Sequence, residues 1–165
     1  MASTIIGDTI SFVLSNVPAI MFVLAFVVAF LTRNPPHLAS RLLFWLVLLA
    51  IGVTGVWAGF FHIFFPGIAS ASIGWAPSPF EFEIGVADAA IGVTAIVAAW
   101  RSIEFKGAVI LYMVLFNLGV AAGHVREAIT AHDFSANNFG VLLVVTVLQI
   151  VVFPWVYFAA KREQG

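Results

Sequence analysis

Histidines and carboxylates set inside apolar segments are the residues of this sequence whose chemistry calls for an explanation, and four stand out: His62, Glu83, His124 and Glu127. His124 and Glu127 are three residues apart in Gly123-His124-Val125-Arg126-Glu127, which puts them on one helical face. Glu83 falls about one turn inside an apolar helix, where hydrocarbon disfavours a charge and no cap requires one. His62 stands just before Phe64-Phe65-Pro66. Two imidazoles and two carboxylates make a plausible nitrogen and oxygen donor set for a divalent transition metal such as zinc, iron or manganese, and a His beside a carboxylate is also competent to relay a proton. A second reading takes His62 and His124 as axial ligands of a b-type haem, making the protein an electron carrier. In a third, the polar groups only pair among themselves and the chain is a structural or assembly subunit of a membrane complex. A lone interfacial His is usually an amphipathic anchor, and His124 alone could be a neutral ring bonded to Glu127 or a carbonyl. Asp88 and Asn138 are secondary candidates, the latter also a candidate cap for a following helix. Whether the chain catalyses a reaction is open at this stage.

The elements that would position these groups follow from composition. Of 165 residues, 62% are hydrophobic and 9% charged, far too little charge to cover a soluble domain. An all-α integral membrane bundle forming a single domain is expected, with membrane lipid as its surroundings and, as partners, further copies of the chain or a larger membrane complex. A net charge of -1 argues against nucleic acid as a partner. With no cysteine, disulfides, thiolate zinc sites and iron-sulfur clusters are excluded and the redox compartment is unreadable. Crossing a bilayer takes about 20 apolar residues, and five stretches qualify: Ile10–Thr32, Leu42–Phe65, Pro79–Trp100, Gly107–Ile129 and Phe139–Ala160. The start of the chain lacks the basic residues of a secretory signal, so the first span is expected to be retained. The breaks carry Arg33-Asn34-Pro35-Pro36-His37, the Gly67 to Pro79 segment with Gly74 and Pro77, and Ser135-Ala136-Asn137-Asn138.

Cations mark the cytoplasmic side of span ends. Arg33, Arg41, Arg101, Lys106, Lys161 and Arg162 fall on one side and Arg126 on the other, so the amino end is expected outside and the carboxyl end in the cytoplasm of a bacterial-type inner membrane. At 1.5 Å per residue, His62 and Glu83 then lie about 5 Å below the outer ends, Glu127 slightly shallower and His124 about 8 Å. Three helices thus aim titratable groups at one outer layer, and polar groups in lipid are cheapest when they face one another. Gly55-x-x-x-Gly59, Gly85-x-x-x-Ala89 and Gly119-x-x-x-Gly123 are expected at close helix crossings. Ala50-Ile51-Gly52-Val53-Thr54 recurs as Ala90-Ile91-Gly92-Val93-Thr94 without extending, which suggests a shared crossing rather than a repeat. Pro18 and Pro154 should kink their helices, with Ser15 and Asn16 available to satisfy backbone groups freed near the former. Ser78-Pro79-Phe80-Glu81 reads as a capping box that gives Glu81 a structural role, while Asp88 lies about 10 Å further along the same face. The uncharged Gly67–Pro77 segment, with Trp75 as an interfacial anchor, could fold over the site as a lid.

The run Trp75-Ala76-Pro77-Ser78-Pro79-Phe80-Glu81-Phe82-Glu83-Ile84-Gly85, then Gly123-His124-Val125-Arg126-Glu127, then Phe134 and Asn138-Phe139-Gly140, resembles a family of small bacterial membrane proteins without an assigned function. The likeness extends from about the second span onward. It implies that Glu83 matches the acid following Ser-Pro-Phe in that family, and that Glu81 matches a position open to an amide. Neither a Ser-His-Asp arrangement, a phosphate-cradling loop nor a dinucleotide fingerprint stands in a suitable context. The Glu-x-x-His pairs of di-iron bundles are missing too.

Overall fold

The computed structural model describes residues 12–76, 78–135 and 138–163, and among them every regular element is a helix. The expected start of the first span at Ile10, the break at Pro77 and the turn residues Ala136 and Asn137 lie outside the described residues. Helix α1 is Val17–Leu31, α2 is Leu38–Phe64, α3 is Pro66–Ser72, α4 is Phe80–Ala98, α5 is Ile103–Thr130 and α6 is Val141–Arg162. Three of them, α2, α5 and α6, are long and apolar enough to cross a membrane. Helix α4 has 19 residues but carries Glu81, Glu83 and Asp88, and α1 is a shorter apolar helix of 15 residues.

Helix α2 organises the bundle. Its first half packs against α1 and α6 and its second half against α4, while α5 lies along α6. Leu43, Leu46, Val47 and Ile51 of α2 meet Ala25 and Ala29 of α1, Ala95 and Ala98 of α4, and Phe153, Val156 and Ala160 of α6 in a core with almost no exposed surface. Nearly all of that core lies in the half of the bundle where α1 ends and α2 begins. There Glu163, just past α6, reaches across to the start of α2 and accepts from the amides of Ala39 (3.0 Å) and Ser40 (2.9 Å) and from the Ser40 hydroxyl (2.8 Å). Those are orphan donors of a helix first turn that His37, the residue before it, does not cap with its own side chain.

Between Leu46 and Val53 the turns of α2 widen to a π-helix, and the Thr54 hydroxyl donates to Leu49 O at 3.2 Å. Widened turns shift the angular phase of the residues beyond them. The second half of α2 thereby presents Gly52, Gly55 and Gly59 to α4. An added Cβ at Gly55 would stand 2.8 Å from Gly92 Cα, and one at Gly59 would stand 2.7 Å from both Ala89 N and Gly85 O. The repeated Ala-Ile-Gly-Val-Thr pentapeptide is explained here, because Gly52 and Gly92 belong to one seam: a Cβ on Gly92 would meet Gly52 O at 2.9 Å. Gly119 and Gly123 behave differently, with nothing within 4 Å of the position a Cβ would take. Near Pro18, Asn16 Nδ2 donates to Phe12 O at 2.8 Å, a second bond to a carbonyl that also accepts from Asn16 N at 3.1 Å, just before the helix restarts at Val17. Deeper between α5 and α6, Asn117 Nδ2 donates to Gln149 Oε1 at 2.9 Å, and both side chains are buried.

Candidate functional site

The close crossing of α2 and α4 determines which polar groups meet. Glu81, Gly85, Asp88 and Gly92 are spaced by four, three and four residues, so at 3.6 residues per turn they share one face of α4. Gly85 leaves room for the stem of His62, whose Cβ would lie 2.9 Å from a Cβ added there. The imidazole is therefore laid along α4 between two carboxylates. Its Nδ1 is 2.6 Å from Glu81 Oε2, and its Nε2 is 4.0 Å from Asp88 Oδ2. A carboxylate only accepts, so Nδ1 carries the proton of the short bond. The side chains retain 24% exposure for His62, 11% for Glu81 and 14% for Asp88, so the ring keeps some open surface while most of each carboxylate is covered by protein.

This arrangement revises the expected roles of the two glutamates. Ser78 Oγ accepts from Phe80 N at 3.3 Å and Ser78 O from Glu81 N at 3.0 Å, but Pro79, at the N-cap position, offers no side-chain bond and the Glu81 carboxylate does not turn back to Ser78. Glu81, read from the sequence as the capping acid, instead binds His62. Glu83, read as the functional acid, is exposed, because two residues along a helix is a rotation of about 200°.

His124 belongs to a separate cluster. It is 5% exposed, and its Nδ1 lies 2.6 Å from Oδ1 of Asn138, which is fully buried. The Asn138 amide nitrogen donates to Asp133 O at 2.8 Å and reaches His124 O at 3.4 Å, which fixes the amide orientation and makes His124 Nδ1–H the donor. Trp75 packs over the His124 ring with centroids 5.8 Å apart. Asn138 is thus a staple between α5 and the connection that follows it, and the start of α6 carries no side-chain cap. Glu127 contributes its backbone carbonyl, which accepts from Ala131 N and Asp133 N.

The segment expected as a lid is partly the short helix α3. Beyond it, Gly74 adopts a φ of +79°, and a Cβ there would stand 3.0 Å from both Asp133 carboxylate oxygens. Ser135 Oγ donates to Ile73 O at 3.1 Å, closing this segment against the connection after α5.

The fold therefore does not gather His62, Glu83, His124 and Glu127 around one point. Among the described residues, no group of three or more His, Asp and Glu side chains is arranged to hold a metal ion. The physical reason is that each histidine has its own nearer partner. The ring of His62 lies between Glu81 and Asp88, with its two nitrogens serving opposite sides, and Asn138 occupies Nδ1 of His124. Asp88, a secondary candidate, moves into the centre, and the heptad spacing from Glu81 was the signal that pointed to it.

Over residues 15–165 the chain matches the model of a protein family described as "Family of unknown function (DUF6790)". No curated protein and no solved structure matches it.

Proposed function

The chain belongs to the DUF6790 family, and on that footing we propose that it is a five-span membrane protein that handles protons at His62, Glu81 and Asp88. Supporting the span count are the five apolar stretches, three of them long helices, and the apolar character of α1 and α4 outside the three acids of α4. The cation asymmetry supports an outer amino end, a cytoplasmic carboxyl end and a bacterial-type inner membrane. On this reading Glu81 faces the outer side and Asp88 lies about 10 Å deeper.

The observation that carries the proposal is the imidazole ring between two carboxylates. With Nδ1–H held by Glu81, Nε2 is the basic site of the neutral ring; a proton bound there gives an imidazolium, which releases one proton from Nε2 toward Asp88 or from Nδ1 to Glu81. Either ring nitrogen can carry the proton, which makes histidine suited to such a transfer, and the 4.0 Å from Nε2 to Asp88 is closed by a bridging water or a small shift of the ring. Beyond Asp88 the seam is glycine and alanine, so the relay ends there and works as a proton-accepting centre rather than a continuous path.

Infrared difference spectroscopy of the full chain reconstituted in phosphatidylcholine vesicles, titrated with pH, tests this. The carboxylic acid band absent from Asp88→Asn should shift its titration midpoint by more than about one pH unit in His62→Gln, because coupled groups titrate as a pair. An Asp88 band whose midpoint ignores His62 would overturn the relay and favour a structural subunit whose polar groups only hold helices together.

A further inference from the structure

We infer that the outer groove between α5 and α6 binds an anionic phospholipid, with an acyl chain along the groove and the phosphate on Arg126. The groove encloses about 660 Å³ and is lined by Ala122 and Val125 of α5, by Leu143 and Val147 of α6, and by Phe139 before it, with Arg126 as its cation. Apart from Arg126 and the Thr130 hydroxyl, its walls are apolar. The Thr130 hydroxyl is already committed to Arg126 O at 2.9 Å. Both walls are helices long and apolar enough to cross a membrane, so the groove opens sideways to hydrocarbon.

Charge identifies the occupant. Arg126 is exposed, and among the described residues no carboxylate lies within ion-pairing distance of it. A guanidinium beside an apolar channel, without a protein anion, matches a molecule with acyl chains and a phosphate, since planar donor pairs bind phosphate oxygens bidentately. The groove exists because α5 carries small residues there. Ala121 and Ala122 hollow one wall, and Gly123 has no neighbour within 4 Å of its Cβ position. A second copy of the chain seated on this face about a two-fold axis near Arg126 would bring two Arg126 side chains together, a repulsion that a bound phosphate avoids.

The test uses native mass spectrometry of the full chain, stripped of lipid in mild detergent and then supplied with equal amounts of phosphatidylglycerol and phosphatidylcholine. Phosphatidylglycerol should be retained about fivefold over phosphatidylcholine, the effect expected of one cation at the headgroup layer. Arg126→Gln should erase that preference, Arg126→Lys should keep part of it, and Leu143→Trp should lower binding of both lipids. Equal retention of the two lipids by the wild type would overturn the inference. So would a preference that survives Arg126→Gln, displacement of the lipid by inorganic phosphate at matched concentration, or a lipid-free dimer.

Discussion

Replacing Gly92 by alanine tests the helix seam on which the His62 centre depends. The new methyl would stand 2.5 Å from Val56 N, 2.8 Å from Gly55 C and 2.9 Å from Gly52 O, all of them backbone atoms that no rotamer change can move aside. Carbon contacts settle near 3.5 Å or more, so α2 and α4 must separate by about 1 Å at this point. Overpacking of this kind costs up to about 3 kcal/mol, and the better helix propensity of alanine returns about 1 kcal/mol, leaving a net loss of about 2 kcal/mol. The same change at Gly119 or Gly123 meets nothing within 4 Å and should be neutral or stabilising by up to about 1 kcal/mol. Reversible unfolding of the purified protein in mixed micelles by increasing the SDS fraction measures all three variants. Equal tolerance at Gly92 and Gly119 would refute the seam. A loss at Gly123 as large as that at Gly92 would show a partner helix on the face of α5 assigned to lipid.

Glu163→Gln should lower stability by about 1 kcal/mol at neutral pH, the usual worth of a helix N-cap, as read from thermal unfolding. Burial alone would raise the Glu163 carboxyl, but the Ser40 hydroxyl, the amides of Ala39 and Ser40, and nearby His37 outweigh it and hold the group below the usual glutamate range. A carboxyl depressed in the folded state contributes stability that is present above the ordinary glutamate range and lost as pH falls through its lower folded value. The wild type should therefore lose stability on acidification by more than the variant; parallel curves would contradict the latch. Asn138→Ala leaves the buried His124 Nδ1–H and Asp133 O without their partner and should cost about 1–3 kcal/mol. Hydrogen exchange of the amides of residues 131–135 should accelerate in the same variant, and unchanged exchange there would remove the staple role from Asn138.

The helical architecture was legible because long apolar runs ended at prolines, glycines and cations. The ends of α2, α5 and α6 fall within a few residues of the expected ones, since Pro35-Pro36 and Pro66 forbid continuation whatever surrounds them. Helix α3 was not legible. Six residues of Gly, Ala, Ser and Ile after a proline have no periodicity long enough to read, and their helix depends on the ends of α2 and α4. The π-helical stretch of α2 was invisible for a related reason: Leu46–Val53 is a plain apolar run whose hydrogen-bond register depends on tertiary contacts with α1 and α4.

The site was legible as residue types and illegible as pairings. Spacing placed Glu81 and Asp88 on one face, and the small residues Gly85, Ala89 and Gly92 beside them marked the face turned to another helix. The capping-box pattern at Ser78 nevertheless drew Glu81 to a local role that it does not fill. A three-residue spacing made His124 and Glu127 neighbours on a surface without saying which way each side chain turns. Asn138, 14 residues further on, won the imidazole because a buried amide can satisfy the His124 ring, the His124 carbonyl and the Asp133 carbonyl together.

In a bilayer apolar surface is no better buried in protein than in lipid, so helix pairs hold by close packing and by polar contacts between them. The α2–α4 pair uses both on one seam. A Cβ added at Gly55 would stand 2.9 Å from the Asp88 carbonyl, one at Gly85 would stand 2.9 Å from His62 Cβ, and the His62 ring spans Glu81 and Asp88. Each polar member of the centre is thus within one turn of a glycine contact, and the two cannot be altered independently. A bulkier seam residue displaces the ring from its carboxylates. Loss of the ring removes the polar contacts of a crossing that otherwise rests on packing alone. On the proposed reading, the centre sits where moving a proton and moving a helix are the same mechanical problem.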